Sequence, residues 1–140
     1  MNQKEIEQIL PHRKPMLLVD EAVVNLDGSA TGHYTVQGDE FFLQGHFPGN
    51  PVVPGVILCE MMAQTCAVML QDKAQGATPY FTSLDKVKFK QVVKPGDTIE
   101  FQVSITRNRA PFYFAQGKGF VQGKLCVTGE FSFALIQPKG

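Results

Sequence analysis

Two side chains in this 140-residue chain have the types and settings to move protons, His46 and Glu60. His46 sits in Gly45-His46-Phe47-Pro48-Gly49-Asn50-Pro51, where glycines and prolines hold the backbone to a fixed path. An unperturbed imidazole, with a pKa of about 6.5, is mostly a free base at neutral pH. Glu60 is the one carboxylate in a nearly unbroken apolar run, Val56 to Leu70. Burial there disfavours its ionised form unless a partner compensates, while a nearby helix N-terminus favours it. Gln64 follows at i+4, on the same helical face and within hydrogen-bonding reach. Gly55, at the start of that helix, offers a backbone N–H with no intrahelical partner, suited to a carbonyl oxygen becoming an enolate. A base on a stiff loop and an acid on an apolar helix are what proton transfer at carbon requires. Each residue also has a plainer reading: a loop histidine bonded to backbone, a satisfied Glu60–Gln64 pair, a glycine tolerating the turn after Pro54.

The elements that must carry these groups follow from periodicity. Ile6, Ile9 and Leu10 predict a short helix over Gln3–Leu10, stopped by Pro11. Met16–Val24 and Ser29–Val36 read as strands joined at Asp27-Gly28, and Gln37–Gly55 as a loop that holds something in place. Twelve of the 15 residues from Val56 to Leu70 are apolar on all sides, which predicts a helix over Val56–Ala74, buried all round and ended by Gly76. Strand patterns fill the rest: Val87 and Phe89 alternating with lysines, Ile99 to Ile105, Phe112–Phe120, Val121–Val127 and Glu130–Ile136, with turns at Lys94-Pro95-Gly96-Asp97 and around Gly123. The expected architecture is α+β, a single domain over residues 1–140 with one long buried helix wrapped by an antiparallel sheet of five to seven strands.

Composition narrows the function. Thirteen basic and thirteen acidic residues cancel, so no global field recruits nucleic acid or a membrane surface. The Val56–Leu70 run is too short and too polar to span a bilayer, and the N-terminus lacks a secretory apolar region. Cys59, Cys66 and Cys126 have no zinc or disulfide spacing and fit a reduced, cytoplasmic setting, with Cys59 and Cys66 as packing residues. His12, His33 and His46 have no ligand-like spacing, so no metal is expected. No phosphate-loop glycine fingerprint and no Ser or Cys nucleophile motif is present. His12 and Arg13 read as structural or pocket-edge residues, and His33 as an exposed or paired strand histidine. Lys86, Lys88 and Lys90 share a strand face, with Lys94, Arg107 and Arg109 following. That cluster reads either as a solvated edge or as a docking patch for an acidic protein partner.

Leu10-Pro11-His12-Arg13-Lys14-Pro15-Met16-Leu17-Leu18-Val19-Asp20, Gly45 through Gly55 with Glu60 and Gln64, and Leu84-Asp85-Lys86-Val87-Lys88-Phe89 together resemble the (3R)-3-hydroxyacyl-acyl-carrier-protein dehydratases. The resemblance covers nearly the whole chain in order. Asn50 departs from the histidine or aspartate frequent in relatives, and Glu60 stands where an isomerising branch carries Asp. It implies a hot-dog fold and a reaction without cofactor: His46 would take a proton from C2 of the acyl thioester, and Glu60 would protonate the departing C3 hydroxyl. The N–H of Gly55, with Val56, would polarise the thioester carbonyl. Gln64 would orient Glu60, the Val52 carbonyl would hold the other nitrogen of His46, and Phe47 and Pro54 would contact substrate. The implied partners are an acyl carrier protein and a second copy of the chain, since His46 and Glu60 of one site come from different subunits in that family, with three dimers often assembled together. A hot-dog thioesterase and a non-catalytic acyl-binding protein are the alternatives, because the fold alone does not choose.

Overall fold

In a computed structural model, which describes residues 1–45, 47, 49–74 and 76–137, six strands form one antiparallel sheet. They are β1 (Glu21–Val24), β2 (Ala30–Thr35), β3 (Thr78–Phe89), β4 (Thr98–Arg109), β5 (Phe112–Val121) and β6 (Lys124–Ile136). Their order across the sheet is β1-β2-β4-β5-β6-β3, so β3 is an edge strand although it lies mid-chain. Helix α1 (Gln3–Glu7) precedes them, and α2 (Gly55–Ala67) and α3 (Gln71–Ala74) connect β2 to β3. The strand number falls inside the expected range.

Turn chemistry sets the hairpins. Gln122 and Gly123 take φ of 51° and 76°, the left-handed pair that a two-residue connection between β5 and β6 needs. Strand β6 then runs through Thr128 and Gly129 without the break expected from the pattern. Helix α1 starts on a capping box, with Asn2 Oδ1 accepting from Glu5 N–H and Glu5 Oε1 from Asn2 N–H. It ends at Glu7; Ile9 and Leu10 stay tied back to the Ile6 carbonyl as a turn, short of the full Gln3–Leu10 helix.

Side chains on one face of the sheet make the core, and α2 lies across it against β2, β4, β5 and β6. One lateral row crosses every strand beneath the helix: Ala22, Gly32, Phe101, Gly119, Val127, Phe89. Gly32 is where α2 comes closest. A Cβ there would stand 2.5 Å from Thr65 Oγ1 and 2.7 Å from its Cγ2. Thr65 cannot step aside, being fully buried with its hydroxyl bonded to the Met61 carbonyl at 2.9 Å.

Three sequence expectations are corrected. The helix is not one unit from Val56 to Ala74: α2 stops at Ala67, a tight turn takes Val68–Leu70, and α3 follows. Nor is it buried all round, since Val56 is 69% exposed and Ile57, Glu60 and Ala63 are half-buried on the same side. Met16–Asp20 is not strand either; its backbone groups are taken up by Arg13, Gln64 and His33 instead of a neighbouring strand.

Replacing Gly32 by alanine drives a methyl into Thr65 and should destabilise the protein by about 1–3 kcal/mol. Urea unfolding of the variant measures this, and an unchanged midpoint would show that α2 can lift without cost.

Candidate active site

The segment before β1 builds one wall of the site by folding around Arg13. Its Nη1 donates to the Leu10 carbonyl at 3.0 Å and to the His12 carbonyl at 2.7 Å. The Arg13 carbonyl in turn accepts from Met16 N–H at 2.7 Å and Leu17 N–H at 3.1 Å. This fixes the path of the backbone on both sides of His12.

Gln64 then joins that segment to α2. Buried to 1% exposure, its Oε1 accepts from Leu18 N–H at 2.8 Å, and its Nε2 donates to the Met16 carbonyl at 2.8 Å. The same Nε2 donates to Glu60 Oε2 at 2.9 Å, across the i, i+4 spacing seen in the sequence. His12 Nε2 approaches Glu60 Oε2 to 3.4 Å, with both side chains 20% exposed. Glu60 is therefore neither sealed in the core nor free in water. It stands at the polar end of a pocket of about 50 Å³ whose other walls are Leu10, Pro79, Phe81 and Phe133.

The N-terminus of α2 supplies donors beside it. Its N-cap is Pro54, which has no side-chain oxygen to cap the helix, and among the described residues the N–H groups of Gly55 and Val56 have no hydrogen-bond partner. Val53 N–H bonds to the Val93 carbonyl at 2.8 Å and anchors the approach to the helix. Val56 and Glu60 are spaced i, i+4 and share the half-open face. Gly55 has a steric reason that the sequence did not show: a Cβ would lie 2.6 Å from the Phe89 ring, which closes the end of the core row against the helix start.

Of the expected site residues, Glu60 and Gln64 are in direct contact, with Pro54, Gly55 and Val56 one to two turns away along the same helix. Val52 is buried and Phe47 exposed on the loop before it. His46 lies outside the described residues. His12, read from sequence as structural or pocket-edge, touches the Glu60 carboxylate; no spacing rule signals that contact, which depends on the fold around Arg13. His33 sits between Glu21 at 4.0 Å and Glu100 at 3.3 Å, a cross-strand row remote from the pocket. Burial, and secondarily the charge of Glu60, pushes the Cys59 thiol up, and burial pushes Cys66 up to about 12, so neither is poised as a nucleophile.

The basic cluster occupies the opposite face of the sheet. Lys86 and Lys88 line a broad polar concavity there together with Lys118, and Lys86 lies 3.8 Å from Glu130. The lateral row Arg107, Phe114, Ser132, Ser83 places Arg107 on that face, its guanidinium 4.2 Å from the centre of the Phe114 ring, and Arg109 follows two residues on. Lys90 is exposed just beyond β3.

The architecture matches that of a chain of the dehydratase heterocomplex ApeI:P from Xenorhabdus doucetiae, with a TM-score of 0.80 at 24% identity over 96% of this chain and 91% of that one. This is the hot-dog fold. A FabA-like domain model matches residues 10–130. The 3-hydroxyacyl-[acyl-carrier-protein] dehydratase FabZ of Clostridium perfringens is 42% identical over 96% of this chain and 99% of its own length. FabZ of Caldicellulosiruptor saccharolyticus is 44% identical over 93% of this chain and 95% of that protein. The chain belongs to the FabA-like family, within its FabZ-type 3-hydroxyacyl-[acyl-carrier-protein] dehydratases.

Gln64→Leu keeps the volume but leaves Leu18 N–H and the Met16 carbonyl buried and unpaired. It should cost about 1–3 kcal/mol per group left unsatisfied, read from the shift in urea midpoint, and should lower turnover as Glu60 loses its donor. Parental stability would mean that the Met16–Leu18 segment finds other partners.

Proposed function

We propose that His46 and Glu60 are the base and the acid of this protein's dehydration reaction, and that one chain holds only part of each site. The reaction is that of the FabZ family: removal of water from a 3-hydroxyacyl thioester of the acyl carrier protein in fatty-acid biosynthesis, a hydro-lyase step. The observation that carries the proposal is Glu60 itself, a carboxylate held by the buried Gln64 amide at the mouth of an apolar pocket.

His46 abstracts the C2 proton, and the electron pair left behind forms the C2–C3 double bond. The C3–O bond breaks as Glu60 delivers its proton, and the hydroxyl departs as water. The Gly55 and Val56 N–H groups, aligned with the α2 dipole, stabilise the charge that develops on the thioester oxygen. The Val52 carbonyl orients His46, and Phe47 and Pro54 flank the thioester.

A homodimer completes the site. Two observations support the dimer. The pocket beside Glu60 has the volume of one or two waters, too little for an acyl thioester. The twelve-residue edge strand β3 also presents Phe81, Leu84 and Phe89, all more than 40% exposed, on the sheet face that carries α2 and its open Val56 side. A long apolar edge of this kind is what a second copy would cover. One hydrophobic core running through the described residues supports reading 1–140 as a single catalytic domain, and three buried free cysteines support a reducing, cytoplasmic setting.

His46→Ala and Glu60→Gln should each lower turnover by roughly 10²–10⁴-fold with the fold intact. If the two residues of a site come from different chains, refolding the two variants together should restore about a quarter of parental activity, through dimers with one intact site. Near-normal turnover of either variant alone would refute the assignment, and no recovery on mixing would place both residues in one chain.

The acyl carrier protein that delivers the substrate is proposed to dock on the basic face formed by Lys86, Lys88, Lys90, Arg107 and Arg109. Register supports this: β3 and β4 lie three strand spacings apart, about 14 Å, so cations from both reach one acidic surface. Lys86→Glu with Lys88→Glu should raise KM for carrier-bound substrate and spare a small thioester; equal loss on both substrates would remove the face from docking.

A further inference from the structure

The two oxygens of Glu60 have unequal surroundings. Oε2 accepts the Gln64 N–H at 2.9 Å and lies 3.4 Å from His12 Nε2. Among the described residues Oε1 has no hydrogen-bond partner. His12 shows the complementary asymmetry, because its Nδ1 is buried with no partner while Nε2 faces the carboxylate. A hydrogen on Nδ1 would be an orphaned buried donor, and it would turn a bare lone pair on Nε2 toward an oxygen. A hydrogen on Nε2 instead leaves only an unused acceptor at Nδ1 and aims an N–H at Glu60 Oε2. The backbone that carries the ring is held in place, since the Arg13 guanidinium bonds the His12 carbonyl at 2.7 Å.

Two N–H groups then converge on one carboxyl oxygen and occupy both of its lone-pair directions. A carboxylic acid in that setting carries its proton on the other oxygen. We propose that His12 is a positioning residue that, together with Gln64, fixes the acid proton of Glu60 on Oε1, ready for the departing C3 hydroxyl. The 3.4 Å separation is long for a hydrogen bond, and the attraction between the two groups grows as the carboxylate becomes charged. When C3–O breaks, the hydroxyl takes the Oε1 proton and leaves as water. The negative charge left on Glu60 is then met by two donors already in place. The proton taken from C2 by His46 returns to Glu60 through water to reset the site.

This inference rests on Glu60 being the acid, and a comparison of His12→Gln, His12→Asn and His12→Ala separates the two. A glutamine amide nitrogen reaches the Nε2 position, an asparagine nitrogen the Nδ1 position, and alanine neither. With (3R)-3-hydroxybutyryl-carrier protein as substrate, His12→Ala and His12→Asn should lose roughly 10–100-fold in kcat, with KM within about threefold. His12→Gln should stay within about threefold of the parent. Parental kcat in His12→Ala, or His12→Gln and His12→Asn impaired alike, would overturn the role, as would a loss that falls on KM. Should His12→Ala unfold, the Gln and Asn variants decide alone. Glu60→Gln runs alongside: if it stays active the acid assignment itself fails, whereas an inactive Glu60→Gln beside an unimpaired His12→Ala defeats only the role of His12.

Discussion

The Gln64 amide bonds at once to Leu18 N–H, the Met16 carbonyl and the Glu60 carboxylate, and much of the molecule is arranged around those contacts. A buried amide left unpaired costs as much as a sizeable core truncation, so wherever α2 packs it must bring Gln64 to partners. The Met16–Leu18 segment supplies them with its own backbone, which keeps it out of the sheet and lets β1 begin only at Glu21. The turn around Arg13 follows from the same requirement, because the segment must double back to reach the helix. Gly32 beneath Thr65 lets α2 sit low enough on β2 for the contacts to close. Stability and the placement of the Glu60 carboxylate thus depend on one side chain.

Much of this was legible in the sequence where the signal is local. The Asp27-Gly28 turn, the Lys94-to-Asp97 turn, the Gly123 turn and the Pro54-Gly55 helix start are all present, and the i, i+4 spacing of Glu60 and Gln64 does put their side chains in contact. What failed was non-local. Met16–Asp20 has the apolar run of a strand, and only a glutamine 46 residues beyond Leu18 explains why it is not one. The Val68–Leu70 turn has no proline or glycine to announce it. The open stripe of α2 is as apolar as its buried sides, so composition could not separate a side facing the sheet from a side left uncovered. His12 illustrates the same limit. Its neighbours Pro11 and Arg13 show a constrained turn, but not which carboxylate the turn points at.

That uncovered stripe gives the chain its incomplete character. Val56, Ile57 and Ala63 flank Glu60 along α2, and β3 continues the apolar surface with Phe81, Leu84 and Phe89. A water-filled site beside Glu60 would let solvent compete for every proton that the reaction moves. Covering the stripe with a second β3 edge would dry the pocket, lengthen it and add the other subunit's loop. In such a dimer assembly and catalysis would be coupled through the same apolar residues, and an edge that would otherwise invite aggregation would be covered.

The dehydration itself is tested by incubating the parent protein with (3R)-3-hydroxybutyryl-acyl-carrier protein, following enoyl formation and free thiol in the same sample. Trans-2-enoyl product is expected, with the thioester intact and no thiol released. Thiol release without enoyl product would contradict it and make the chain a thioesterase built on the same fold.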